Sequence, residues 1–186
     1  MNVPLDFLHK MCSYEVEIHG VKVKAHLADW AILVDTHIYE IYKFIFRGKS
    51  LVALDVKTVT NVAQLVILGA GTEFLIIQLH SLDSYPLLLD DLFSQAIVCF
   101  VGVRISDILS YSINIKVKII KICVLIQEHG LKKLAQAAGI TLKQSTFSGT
   151  KTPPWSVRLF SAEQIRLAIH DAYTAYVIGS KLLEQI

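Results

Sequence analysis

The order of apolar and polar positions along the chain sets out a series of short elements. Ser13 to Ile18 and Val21 to Ala25 both alternate, with His19-Gly20 between them, which predicts a β-hairpin closed by a tight turn. Between Trp30 and Phe46, residues Val34, Ile38, Ile41, Tyr42 and Ile45 recur three or four positions apart, so a helix is expected over much of that stretch. Leu51 to Val56 is short and nearly all apolar, the pattern of a central strand buried on both faces. Val62 to Leu68 and Glu73 to Leu79 flank Gly69-Ala70-Gly71-Thr72 and predict a second hairpin. Pro86 opens a short helix through Phe93, and Ile97 to Ile105 reads as another buried strand. In Val117 to Ile122 the lysines alternate with apolar residues, which suits an edge strand.

The remainder is helical. Leu131 to Ala138 has helical spacing and stops at Gly139, whereas Gln144 to Ser156, rich in Ser, Thr, Gly and Pro, predicts a loop. Ser161 and Gln164 have the spacing of a capping box, and an apolar stripe from Ile165 through Ala168, Ile169, Ala172 and Tyr176 carries the last helix to about Leu183. The order, a hairpin, a helix, strands and then helices, predicts an α/β class, a mixed sheet with helices packed on it.

Composition narrows the class. The chain has 186 residues, of which 53% are apolar and 18% charged; its mean hydropathy is +0.50. That is enough apolar material for one core, predicts a single domain over 1–186, and excludes a disordered chain. The longest charge-free stretch, Thr58 to Thr72, falls short of the roughly 18–20 apolar residues of a membrane span. Asp6, His9, Lys10, Glu15 and Glu17 lie too close together for a secretory signal. The sequence therefore predicts a soluble, intracellular protein, nuclear or cytoplasmic, with no membrane partner. Cys12, Cys99 and Cys123 form no CxxC pair and are expected to be free thiols.

Charge is unevenly spread. From Thr58 to Val103 there are four acids and no Lys or Arg, while from Arg104 to Arg158 nine Lys and Arg face only Asp107 and Glu128. The basic half is a candidate electrostatic footprint for DNA or RNA, with Lys116, Lys118, Lys132, Lys133, Lys143 and Lys151 as candidate phosphate contacts. The sparing use of charge over 58–103 predicts a homo-oligomer, or a partner protein, covering part of that surface.

Three separated segments then carry a resemblance. Leu51-Val52-Ala53-Leu54-Asp55-Val56 is a buried strand ending on an acid. Phe100-Val101-Gly102-Val103-Arg104-Ile105-Ser106-Asp107 is a strand running into an acidic turn. Leu159-Phe160-Ser161-Ala162-Glu163-Gln164 leads to His170-Asp171-Ala172-Tyr173 on a capped helix. In this order they resemble the DEDD 3′–5′ exonuclease superfamily, tyrosine subclass, and in particular the plant exonucleases similar to the exonuclease domain of the Werner syndrome protein. The hairpin around Gly69–Thr72, Gly130-Leu131-Lys132-Lys133-Leu134-Ala135 and Trp155 agree with it, and the likeness spans about residues 13–185. It implies an RNase H-like, DnaQ-like fold and two divalent cations, Mg²⁺ or Mn²⁺, held about 3.5–4 Å apart by four acids.

At the chemistry the chain departs from that pattern. Asp55 matches the first acid, but the Glu expected two residues on is Lys57. Asp171 matches the last acid, but the Tyr expected four residues earlier is Leu167. The middle acid falls on Ile108 in an ungapped reading, with Asp107 one residue early. Tyr173 and Tyr176 read as core or groove residues rather than replacement catalysts. The resemblance thus implies an exonuclease-like, nucleic-acid-binding protein with little or no nuclease activity and no tightly bound metal. Two alternatives stay open: a working exonuclease with a rearranged site built on Asp55, Asp171 and Asp107, and a protein-interaction module derived from the same fold.

Overall fold

The computed structural model describes residues 13–60, 62–103, 131–136, 138–142 and 155–184. The first hairpin pairs β1 (Ser13–Ile18) antiparallel with β2 (Val21–Ala28). His19 and Gly20 at its turn both have positive φ, 53° and 85°, as a two-residue hairpin turn matched to strand twist requires. Helix α1 (Ala31–Phe46) follows, then β3 (Leu51–Val59), β4 (Val62–Ala70) and β5 (Glu73–Gln78). Helix α2 (Leu87–Ser94), the short β6 (Cys99–Val101), a helical stretch at 131–136 and the long α3 (Ala162–Leu183) complete the described elements.

The six strands form one mixed sheet in the order β1-β2-β5-β4-β3-β6. The β2–β5 and β3–β6 pairs are parallel, and the other three pairs are antiparallel. Helices cover both faces, which is why the interior strands read as continuous apolar runs rather than alternating ones. On one face Val34, Ile38 and Ile41 of α1 and Phe93 of α2 pack on Leu54, Val66, Leu68, Leu75 and Ile77. On the other, Ile165, Ile169, Ala172 and Tyr173 of α3 pack on Val23, Ala53, Leu65, Ile67 and Phe74, with Trp155 and Phe160 closing the end. Alternate strand residues therefore serve opposite layers, and Asp55 and Lys57 fall on the α3 face.

The helix ends are fixed by side chains far away in sequence. No side chain of Trp30 caps α1; instead Asp83 Oδ1 accepts from the Ala31 N–H at 2.8 Å. In turn Asp35 of α1 accepts from the Leu87 and Leu88 N–H groups at the start of α2. For α3 the expected capping box forms, with both the Ser161 and the Gln164 side chains bonded to backbone N–H groups.

Several expectations need correction. The strand expected at the centre, β3, lies between β4 and β6, and β5 and β4 hold the middle of the sheet. It also runs on past Val56 to Val59, with an irregularity between Lys57 and Thr58. Gly69 and Ala70 belong to strand β4 rather than to the turn: the Phe74 ring lies across Gly69 on the neighbouring strand, in the space a Cβ would take. β2 extends to Ala28 because Lys24 to Ala28 pair in parallel with β5. β6 is shorter than expected, and Val117–Ile122 lies outside the described residues. Among the described residues, no helix is long and apolar enough to cross a membrane.

Candidate functional site

Asp55 is the fifth residue of β3 and only 5% exposed, paired with Ile67 of β4 on the α3 face of the sheet. Residues two apart on a strand point to one face, so Lys57 follows it into the same space. Across from them α3 brings Asp171. Helix and strand approach closely here: a Cβ on Gly179 would stand 3.1 Å from Val101 Cγ2 and 3.3 Å from Leu51 Cδ2. The absence of a side chain at Gly179 lets α3 lie down on β3 and β6, and so sets Asp171 opposite Asp55.

The three charges meet at one atom. Lys57 Nζ is 2.7 Å from Asp55 Oδ2 and 3.5 Å from Asp171 Oδ2. The contact to Asp171 is a long hydrogen bond. The contact to Asp55 is close but poorly aligned, an ion pair more than a directed hydrogen bond. The other Asp55 oxygen accepts from the Val56 backbone N–H at 2.8 Å.

A second layer holds Asp171. His170 Nδ1–H donates to Asp171 Oδ1 at 3.1 Å; a carboxylate only accepts, so the proton sits on Nδ1. Thr174 Oγ1–H donates to the His170 carbonyl at 2.7 Å, which leaves its oxygen to accept from His19 Nε2–H at 2.9 Å. The rings of His19 and His170 meet edge to face with centroids 5.1 Å apart. The β1–β2 turn is thereby tied to the face of α3 that carries Asp171.

The electrostatics follow from this layout. Burial pushes the Asp55 carboxyl above the usual carboxylate range, and Lys57 offsets that only in part. Burial works against the Lys57 ammonium too, but the two carboxylates outweigh it and hold its pKa above the ordinary lysine value. The His170 hydrogen bond, assisted by Lys57 and opposed by burial, lowers Asp171 to about 2. The site is thus an ammonium between two carboxyl groups, one pushed up by burial and the other held down by His170.

Among the described residues, the donor set does not fit a pair of divalent cations. Two hard cations bring a charge of +4, and a buried ammonium already stands between the only two acids contacting Lys57 among the described residues. Nor, among the described residues, are any three His, Cys, Asp or Glu side chains grouped so as to hold a metal ion. Leu167 lies one turn before Asp171 on α3, its side chain packed against the core on that face, with no hydroxyl to orient a water. Asp107, Ile108, Lys116, Lys118, Lys143 and Lys151 lie outside the described residues; Lys132 and Lys133 are exposed at 131–136. The His19–Thr174–His170 chain was not foreseen, because contacts 155 residues apart leave no local pattern.

Comparison with known proteins follows the same line. No family model matches the chain, and no curated protein does. Among solved structures it superposes on Escherichia coli RNase D, an exoribonuclease involved in structured RNA processing, with a TM-score of 0.62 at 15% identity, over 86% of this chain and 44% of that one. It superposes on the catalytic core of RRP6 from Trypanosoma brucei with a TM-score of 0.64 at 14% identity, over 97% of this chain and 52% of that one. The chain thus spans about half the length of these two neighbours. The fold is the α/β, RNase H-like fold of the DnaQ-type exonuclease domains.

Proposed function

We propose that this protein is a 3′–5′ exonuclease-like nucleic-acid-binding protein in which an internal lysine has replaced the metal centre, leaving it catalytically silent. The observation that carries the reading is the position of Lys57 Nζ, 2.7 Å from Asp55 and 3.5 Å from Asp171. In a site that works by two cations, one lowers the pKa of the attacking water and the other stabilises the departing oxygen. An ammonium does neither: it coordinates nothing, and its charge repels the ions that would. Placement within the tyrosine subclass, among Werner-like exonucleases, rests on the residue motifs, and residues 1–186 are taken as one domain.

Nucleic-acid binding is the retained function, through the lysines of the basic half, of which Lys132 and Lys133 are exposed. Binding of a fluorescent 3′-recessed duplex and of single strands, measured by anisotropy, tests it. Affinity should fall steeply between 50 mM and 200 mM salt as counterion release predicts, and Lys132→Ala with Lys133→Ala should flatten that slope. Absence of binding at low salt would contradict the reading and favour the interaction module.

Self-association is a second, separate reading. The outward side of α1 carries exposed Ile32, Tyr39 and Phe46, with exposed Ile97 and Leu87 alongside. It overlaps the surface expected from the sequence only in part: Leu87 and Ile97 fall within 58–103, whereas most of β4 and β5 in that range is buried in the sheet. Sedimentation at micromolar concentration should show a dimer that Phe46→Glu dissociates.

A further inference from the structure

On the sheet face opposite Asp55, between α1 and strands β2 and β5, lies a cavity of about 430 Å³. That volume falls within the range of roughly 300–1,000 Å³ typical of small-molecule sites. Its apolar wall is Ile41, Ala70 and Leu75, and the Phe44 ring stands at one side. The Phe44 ring lies over Gly71 of the β4–β5 turn, where a Cβ would stand 3.2 Å from it. The polar groups converge from three elements, β2, α1 and β5. His26 of β2 and His37 of α1 are both buried, with ring centroids 4.2 Å apart. His37 donates Nδ1–H to the Leu33 carbonyl at 2.8 Å, which fixes its ring and makes Nε2 the acceptor nitrogen. His26 Nε2 is 3.2 Å from Glu73 Oε2, which orients that carboxylate at the edge of the cavity, and Lys24 is 4.0 Å from the same oxygen.

The charge of the lining selects the ligand. Apart from the two imidazoles, Glu40 and Glu73 outnumber Lys24 in the lining, which disfavours a phosphate or carboxylate ligand. Apolar walls with an aromatic ring at one side suit a planar heterocycle. An oriented carboxylate suits a ligand edge with two adjacent N–H donors, because its oxygens accept in parallel. Among the common bases, guanine presents such an edge, N1–H beside the exocyclic amine, whereas adenine presents one donor group beside an acceptor nitrogen.

We propose that this cavity binds an uncharged purine, guanine or its nucleoside, with the base against Phe44 and the histidine pair and its donor edge on Glu73. The site is independent of the Asp55 centre and of nucleic-acid binding, since the whole sheet separates them.

Calorimetry of the full chain with guanosine, adenosine and guanosine monophosphate tests the proposal. Guanosine should bind, with adenosine and the monophosphate weaker. Glu73→Gln converts one acceptor into a donor, is half exposed in the native chain, and should weaken guanosine about tenfold or more. Phe44→Ala provides a second variant, expected to weaken guanosine and adenosine alike. No guanosine binding by wild type at millimolar concentration overturns the proposal. So does guanosine binding that Glu73→Gln and Phe44→Ala leave unchanged, or adenosine bound as tightly as guanosine.

Discussion

Lys57 and Asp171, 114 residues apart, are brought to 3.5 Å across the interface between β3 and α3, with Asp55 on the other side of the same ammonium. The bridge links the strand to the helix at the point where the fold would otherwise present its acids to solvent cations. It also leaves the buried Asp55 and the half-exposed Asp171 dependent on one positive charge.

Removing that charge should be costly. Lys57→Met leaves Asp55 buried without its counter-ion, and breaking a buried pair from one side costs about 3 kcal/mol. The loss should depend on pH. Asp55 already has a raised pKa, so protonation of the native state favours folding as pH falls, and without Lys57 that effect grows. Urea unfolding should show a large deficit for Lys57→Met at pH 8 and a smaller one near pH 5. A deficit independent of pH would count against the ion bridge.

Asp171 titrates the other way. Its pKa of about 2, below the ordinary 3.8, means its contribution to stability is fully present above the unfolded value and is lost as pH falls through about 2. The side chain is 45% exposed, so screening cuts the contribution to about 1 kcal/mol. Wild type should exceed Asp171→Asn in stability at neutral pH, and the gap should close on acidification between about pH 5 and 2. Carboxyl-carbon NMR should show the Asp171 titration move upward in His170→Ala, because the largest cause of its depression is the His170 hydrogen bond.

Gly69→Ala should destabilise the sheet. A Cβ there would collide with the Phe74 ring, which is 1% exposed and packed edge-on against Tyr173 at 5.9 Å. The ring has no room to withdraw, so a cost of about 1–3 kcal/mol is expected by thermal unfolding.

Much of the fold was legible because its signals are local. The period-2 runs of the first hairpin, the 3–4 spacing in α1 and the Ser161–Gln164 box each mark one element without reference to the rest. Gly69-Ala70 misled because a glycine in a strand and a glycine in a turn look alike until the Phe74 ring is placed. The cross-caps from Asp83 and Asp35 left no trace, since the groups they satisfy are about 52 residues away. At the site the juxtaposition of Asp55, Lys57 and Asp171 followed from register and resemblance, two positions along a strand facing one turn of a helix. The histidine chain behind Asp171 did not, because nothing in His19-Gly20 distinguishes a turn residue from an anchor.

Replacing Lys57 by an acid should create metal affinity. Lys57→Glu would put three carboxylates where an ammonium and two now stand, and with Leu167→Tyr would add back the missing hydroxyl. Calorimetric titration with Mn²⁺ should give a binding isotherm for Lys57→Glu and none for wild type at the same concentrations. Equal binding by both would show that Lys57 does not control the site.

The central claim, that the lysine bridge has silenced the fold's hydrolytic chemistry, is tested most directly by digestion of a 3′-recessed DNA duplex and a single-stranded RNA. The assay compares purified wild-type and Asp55→Ala protein in Mg²⁺ and in Mn²⁺. The account predicts that wild type shows no metal-dependent release of nucleotides above the Asp55→Ala background. Rapid metal-dependent digestion by wild type, abolished in Asp55→Ala, would contradict it and show that cations displace Lys57 from between Asp55 and Asp171.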